Sequence, residues 1–252
     1  MKRLGDIKMI KMLVCDFDGT ISGGKASLVT EFKQFIERNH ALSFVVATGR
    51  TLPSICDGLS SGDYPAPTSI ISDVGTQLHH GKVLSPDLRW HSNVKQQWDR
   101  EHLERLLECL PFVGAQNGQH QGEFKLTFEG KLAASQIDAV HEVLVDNNLQ
   151  VDITYSHDWF LDVTPAGIHK ATALSYLLDS LGIKPQEVVV AGDSANDTTM
   201  LTLPGVNGVL VGNHYPEVSH LAERQNVYVA KGHHSKGVIE GFEFWQRSHA
   251  VC

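Results

Sequence analysis

The chain has no long apolar run, no cluster of basic residues and no closely spaced cysteines, and each absence narrows its function. No stretch of the 252 residues approaches the length of a membrane span, so no membrane partner is expected. Lysine and arginine number 21 against 29 acidic residues, for a formal net charge of -8. An acidic chain without a basic patch is not expected to bind nucleic acid. The four cysteines, Cys15, Cys56, Cys109 and Cys252, show no CxxC spacing, which fits a reduced chain better than a disulfide scaffold. The segment Met1–Asp6 lacks the apolar region of a signal peptide, and a cytoplasmic location is the expectation. No repeat or low-complexity tract is visible. At this length the chain is able to bury a substantial core as one large domain or two modest ones.

What is present is a set of apolar runs that end in chemistry. Met12-Leu13-Val14-Cys15 leads into Asp16-Phe17-Asp18-Gly19-Thr20. If the strand persists, its alternation points Asp16 and Asp18 the same way and Phe17 and Cys15 the other. Two carboxylates so close repel unless a cation or a shared proton relieves them. The segment suggests a metal site, an acid/base couple or both, and a solvated Asp-Gly turn is the plainer reading. Phe44-Val45-Val46-Ala47 likewise ends in Thr48-Gly49-Arg50, and Val188-Val189-Val190-Ala191-Gly192 ends in Asp193-Ser194-Ala195-Asn196-Asp197. Lys170 stands near the start of an amphipathic helix between them. Aspartates, a threonine and a lysine at strand ends are the parts of a magnesium-assisted phosphoryl-transfer site. The Ser194–Asp197 segment also fits plain helix capping, and Thr48-Gly49 a plain strand end.

These four segments, in this order, resemble the haloacid dehalogenase superfamily of phosphatases, and the resemblance covers nearly the whole chain. It implies that Asp16 is the nucleophile that forms an aspartyl-phosphate. Asp18 is then the acid that protonates the leaving oxygen and the base that activates water. Lys170 is the third catalytic group, neutralising the phosphoryl group and Asp16. Thr48, Gly49 and Asn196 hold the phosphoryl oxygens. The implied cofactor is Mg²⁺, with Asp16, Asp18 through its carbonyl, Asp193 and Asp197 as metal residues, Asp197 acting through water or by orienting Lys170. Arg50 is as well explained by a surface ion pair as by substrate contact.

Strand-helix alternation over residues 11–72 (strands 11–16, 42–47 and 69–72; helices 25–39 and 51–60) indicates a parallel sheet covered by helices. The rhythm changes near residue 80. A helix is expected at 94–110, strands at 111–116 and 122–128, a helix at 132–147, and strands at 149–155 and 159–163. That pattern reads as a four-stranded, mainly antiparallel sheet with both helices on one face. The α/β rhythm then resumes, with helices at 169–181 and 236–247 and strands at 187–191, 207–211 and 226–230. The expected fold class is α/β, a Rossmann-like parallel-sheet hydrolase core (1–80 and 164–252) with an inserted α+β cap (81–163).

The segments Ser72–Thr76, Trp159–Gly167, Val211–Glu217 and Gly232–Gly241 narrow the resemblance to sucrose-phosphate phosphatases and their close relatives. Ala195 departs mildly from the glycine common there. The implied partner is a small phosphorylated sugar, sucrose 6-phosphate or a related glycosyl phosphate. Lys125 looks like the lysine of that group's cap strand; with nearby Gln121 it is a candidate for sugar hydroxyls, or else a plain exposed lysine. A sugar phosphomutase and a non-catalytic sugar-phosphate sensor are the rival readings, the intact Asp18 weighing against the second. The adjacent pairs His79-His80 and His233-His234 are poorly placed to chelate a metal and read as polar surface or substrate-side groups. His169, beside Lys170, is the closer candidate for a site contact.

Overall fold

A computed structural model of the protein describes residues 9–95 and 98–250. Met1–Asp6, Cys252 and residues 96–97 of the expected helix 94–110 lie outside the described residues. The first stretch runs β1 (Met12–Cys15), α1 (Ala26–Arg38), β2 (Ser43–Ala47), α2 (Leu52–Ser61), β3 (Ser69–Ser72), β4 (Gln77–His80), β5 (Ser85–Pro86) and α3 (Leu88–Lys95). A second stretch holds α4 (Arg100–Leu107), β6 (Gly114–Ala115), β7 (Leu126–Glu129), α5 (Ala134–Asp146), β8 (Val151–Ser156) and β9 (Phe160–Pro165). The last comprises α6 (Lys170–Leu181), β10 (Val188–Gly192), α7 (Thr198–Leu201), β11 (Asn207–Leu210), β12 (Val227–Val229) and α8 (His234–Ala250).

The large sheet has the order β12-β11-β10-β1-β2-β3-β4-β5. Its strands from β12 to β3 are parallel, and β4 and β5 extend it antiparallel. All four residues of β1 are buried, because a parallel strand in mid-sheet is covered on both faces and needs no polar alternation. Met12 and Val14 face Leu174, Leu177 and Leu178 of α6. Leu13 and Cys15 face Phe32 of α1 and Phe242 of α8. Cys15 is therefore core packing. The small sheet, ordered β6-β7-β9-β8, is antiparallel throughout. Leu103 and Leu107 of α4 share one cluster with Val140 and Leu144 of α5 and with Leu126, Phe128, Leu161 and Val163 of the strands. Both helices therefore cover one face of it.

The helix expected at 94–110 is two helices, and the first belongs to the large sheet. Asp87 accepts hydrogen bonds from the backbone N–H groups of Arg89 and Trp90, starting α3. Trp90 and Val94 then join the large-sheet core, and the Trp90 indole donates to the Gly75 carbonyl. Asp99 caps α4 afresh by accepting from the His102 N–H. Residues 81–95, expected within the insert, thus sit on the large sheet through β5 and α3. The sequence reading also missed β4, where His79 is buried rather than surface-exposed. No helix of the described residues is long and apolar enough to cross a membrane.

Phe32 is fully buried, with its ring 5.5 Å from that of Phe44 and 6.4 Å from that of Phe35. Phe32→Ala is expected to leave a cavity under β1 and cost about 3–5 kcal/mol. Urea unfolding checks this; an unchanged midpoint would show that the core collapses around the gap.

Candidate active site

Parallel strands β1, β2 and β10 end side by side, and the residues just past their carboxyl ends converge. Asp16 is held there by its backbone N–H on the Ala191 carbonyl, and Thr48 by its own on the Ile71 carbonyl. The first residue of α6, Lys170, reaches into the same place. Its Nζ donates to Asp16 Oδ1 at 2.7 Å, Asn196 Oδ1 at 2.7 Å and Asp197 Oδ1 at 2.8 Å. Lys170, Asp193 and Asp197 are fully buried and Asp16 nearly so. Burial alone would depress the lysine, but Asp16 and Asp197 outweigh it and hold Lys170 above its ordinary range.

One ammonium does not neutralise three carboxylates. Burial and the neighbouring acids raise Asp16 well above the usual carboxylate range, against the pull of Lys170. Burial and then Asp197 push Asp193 up to about 7. Oxygens of Asp16, Asp193 and Asp197 lie within 4.8 Å of one another. Thr20 Oγ1 donates to Asp193 Oδ1 at 2.6 Å, whereas Asp193 Oδ2 is buried with no partner. Such an orphaned oxygen is costly unless something binds it. An all-oxygen, acidic donor set suits a hard divalent cation such as Mg²⁺. Asp197 is differently engaged: its Oδ2 accepts from the N–H groups of Asp193 and Ser194 and its Oδ1 from Lys170. It fixes the loop and the lysine, which leaves Asp16 and Asp193 as the pair with an open acceptor.

The backbone around this cluster is shaped to match. Gly19 has φ +77°, and a Cβ there would collide with the Asp193 carboxylate. The Gly19 carbonyl accepts from Asn213 Nδ2 at 2.7 Å and lies 2.9 Å from His234 Nδ1. His234 is thus a fastening of the Asp16–Thr20 loop, not a surface group; its neighbour His233 is exposed. Asp73 and Val74 sit at φ +54° and +59°, a conformation that a β-branched residue takes only under constraint. The constraint is visible: the Asp73 N–H donates to the Arg50 carbonyl and the Val74 N–H to the Thr48 carbonyl. A Cβ on Gly75, at φ +105°, would strike the backbone of His169. This turn therefore seats the start of α6, and with it Lys170. His169 itself caps α6, its Nδ1 accepting from the Thr172 N–H, so it serves the helix and not the site.

Asp18 is half-exposed, and both its oxygens are gripped by Arg50, at 2.7 Å from Nε and 2.6 Å from Nη2. The Arg50 guanidinium lies 5.0 Å over the Phe17 ring. Thr48 is buried, its hydroxyl accepting from the Arg50 N–H. Gly49 has room for a side chain, so crowding does not demand glycine there; its carbonyl accepts from Lys125 Nζ at 2.9 Å.

A cavity of about 420 Å³ opens above these groups. Asp16, Asp18, Arg50 and Asn196 form its floor, and Lys125, His157, Phe160 and Asp162 contribute from the small sheet. Lys125 is buried, with Nζ 3.8 Å from Asp162 Oδ1, which also accepts from the Thr127 hydroxyl at 2.6 Å. Gln121 is not brought to the cavity. Its amide bonds the Gln116 and Thr127 carbonyls and accepts from the Thr127 N–H, so it closes its own loop. The sequence reading missed His157 and Asp162. Neither belongs to a spacing pattern, and only the pairing of β7, β8 and β9 places them here. Gly19→Ala is expected to displace Asp193 and weaken Mg²⁺ binding at least tenfold, on the order of 1.4 kcal/mol, in a folded chain. Titration calorimetry with MgCl₂ checks it; native affinity would mean the loop adapts.

Comparison with known proteins bears on the family and the fold. The family model described as sucrose-6F-phosphate phosphohydrolase matches residues 9–246. The chain is 29% identical over 247 residues to the mannosylfructose-phosphate phosphatase of Agrobacterium fabrum, covering 95% of this chain and 98% of that one. It is 29% identical over 218 residues to sucrose-phosphatase 1 of Nicotiana tabacum, spanning 82% of this chain but about half (51%) of the tobacco protein. Among solved structures, the sucrose-phosphatase from Synechocystis sp. PCC6803, in complex with sucrose and phosphate, superposes with a TM-score of 0.87 at 22% identity, over 94% of this chain and 98% of that one. That likeness carries the fold.

Proposed function

The chain belongs to the sucrose-6F-phosphate phosphohydrolase family, within the haloacid dehalogenase-like phosphatases, and from that premise we propose that it hydrolyses a glycosyl phosphate, sucrose 6-phosphate or a close disaccharide analogue, through an aspartyl-phosphate. The observation that carries this reading is the contact of Lys170 Nζ with Asp16 Oδ1 beside the unpartnered Asp193 Oδ2. A buried carboxylate so placed is oriented for attack and is next to an acceptor that calls for a cation.

Asp16 attacks phosphorus, and the bond to the sugar oxygen breaks as the Asp16–phosphorus bond forms. The Thr48 and Asn196 side chains, with Gly49 between β2 and Arg50, hold the phosphoryl oxygens, and Lys170 offsets charge on Asp16 and the phosphoryl group. Asp18 donates a proton to the departing sugar oxygen, then takes one from the water that cleaves the aspartyl-phosphate. To do so it must leave Arg50, which holds both of its oxygens in this arrangement. Mg²⁺ held by Asp16, Asp193 and the Asp18 carbonyl, with Asp197 behind them, would supply charge neutralisation for the carboxylates and the phosphoryl group. The small sheet with α4 and α5 serves as a cap that closes over the leaving group and excludes water. Lys125 and Asp162 are among its polar groups over the cavity; the relatives named for sucrose and mannosylfructose phosphates support a two-ring sugar there.

A hydrolysis panel of glycosyl phosphates, read as released inorganic phosphate, tests the reading. Asp16→Asn is expected to abolish turnover, on the order of 5 kcal/mol or more in activation free energy, without unfolding the chain. Near-native turnover of a folded Asp16→Asn protein would remove Asp16 from the mechanism. Excess chelator is expected to stop the reaction and Mg²⁺ to restore it. Ca²⁺, with more ligands and looser geometry, is expected to inhibit. Full activity in chelator would exclude the metal.

A further inference from the structure

The turn between β8 and β9 reaches from the small sheet onto the large one. His157 and Asp158, at its tip, have φ of +59° and +53°. Hairpin turns of that shape prefer Asn-Gly or Asp-Gly, and a histidine in this conformation is uncommon. The hairpin alone does not call for it. The surroundings do, because two contacts bind this turn to the opposite side of the cavity. The His157 N–H donates to Glu217 Oε1 at 3.3 Å, and the same oxygen accepts from the Ala195 N–H at 2.8 Å. The His157 ring stands edge-on to that of Tyr215, centroids 4.8 Å apart. Tyr215 and Glu217 follow β11 of the large sheet, and Ala195 opens the turn that carries Asn196 and Asp197.

The imidazole itself borders the cavity above Asp16 and Asp18. Its Nδ1 lies 3.2 Å from Ser156 Oγ, and Nε2 has no hydrogen-bond partner among the described residues. Burial holds the ring below the ordinary histidine range, so at neutral pH Nε2 is an uncharged hydrogen-bonding atom. A neutral, oriented ring at the wall of a phosphate-ester cavity is suited to a hydroxyl and not to the phosphoryl anion.

Resting on the phosphatase reading above, we propose that His157 reads a hydroxyl of the sugar through Nε2, and that Glu217 is the positioning residue that makes this contact part of closure. One Glu217 oxygen ties the cap turn to the loop that presents Asn196 to the phosphoryl group. A sugar that engages His157 favours the state in which that tie is made, because the same turn makes the tie and sets the ring at the cavity wall. A phosphate ester without the hydroxyl gains nothing from the tie. Sugar recognition and assembly of the phosphoryl site are in this way one event.

The test compares kcat/KM for sucrose 6-phosphate and for p-nitrophenyl phosphate in the full chain. His157→Ala is expected to lower the ratio of the two about tenfold or more, with His157→Gln recovering part of it. Glu217→Ala, which removes no group in reach of the sugar, is expected to lower the same ratio, mostly through KM for the sugar ester. Glu217→Gln keeps the shared oxygen and is expected to restore it. Because the pair acts as a unit, the double alanine variant should be no worse than the weaker single. Equal losses on both esters, an unmoved ratio, or multiplicative losses in the double variant would overturn the proposal. Glu217 is exposed, so its variants keep the test informative even if His157→Ala folds poorly. A native chain that cleaves neither ester overturns the phosphatase reading itself, a result distinct from native turnover with an unmoved ratio.

Discussion

The buried ammonium of Lys170 is the interaction on which the site depends. Its three donors meet three acceptors, from Asp16, Asn196 and Asp197. Without it, three buried carboxylates would face one another in a medium that screens poorly, with nothing to relieve their repulsion. With it, one negative charge is balanced and the rest remain as a demand for a cation. Asp193 shows that demand most plainly, with one oxygen on Thr20 and the other on nothing. The suitability of this site for a divalent cation follows from that electrostatic deficit.

Holding such charges in register takes backbone more than side chains. Gly19 lets the Asp16–Thr20 loop lie against the Asp193 carboxylate, and the Asn213 and His234 side chains pin its carbonyl from behind. A Cβ on Gly192 would likewise meet the Asp197 side chain. On the other flank, the turn at Asp73–Gly75 accepts strained torsions so that α6 can start where Lys170 reaches Asp16. Strain of this kind persists only where surrounding bonds over-determine it, and here the Thr48 and Arg50 carbonyls do so.

Much of this was readable in the sequence, for a physical reason. A parallel strand buried on both faces writes itself as an unbroken apolar run, and the residue after it must lie at the sheet's carboxyl edge. Asp16, Thr48 and Asp193 were located by that rule, and family resemblance supplied their expected roles. Short antiparallel strands leave no such mark. β5 has two exposed residues, and β4 reads as Gln-Leu-His-His, so the edge of the large sheet was invisible and α3 was joined to α4. Lys125 and Gln121 lie four residues apart with similar polarity. One is buried at the cavity and the other closes a loop, a difference set by the strand pairing of β7 and not by residue type. His234 read as surface because its partner is a backbone carbonyl far away in sequence.

The division between the legible and the illegible follows the chemistry. Every phosphate ester offers the same phosphoryl group, so the groups that meet it can be fixed to the most rigid part of the fold, the ends of buried parallel strands. Leaving groups differ, and what reads them must differ as well without disturbing that floor. Side chains on short antiparallel strands and hairpin turns meet the requirement, since one face of such a sheet can change while the other packs on α4 and α5. Lys125 on Gly49 and the β8–β9 turn on Glu217 are polar links between the variable wall and the fixed floor on either side of the cavity, beside the contacts of His91 with Glu123 and Phe124. A link made of a few polar contacts can break and remake within a catalytic cycle. A continuous apolar interface would bury the cavity permanently, and the sugar would have no way in or out.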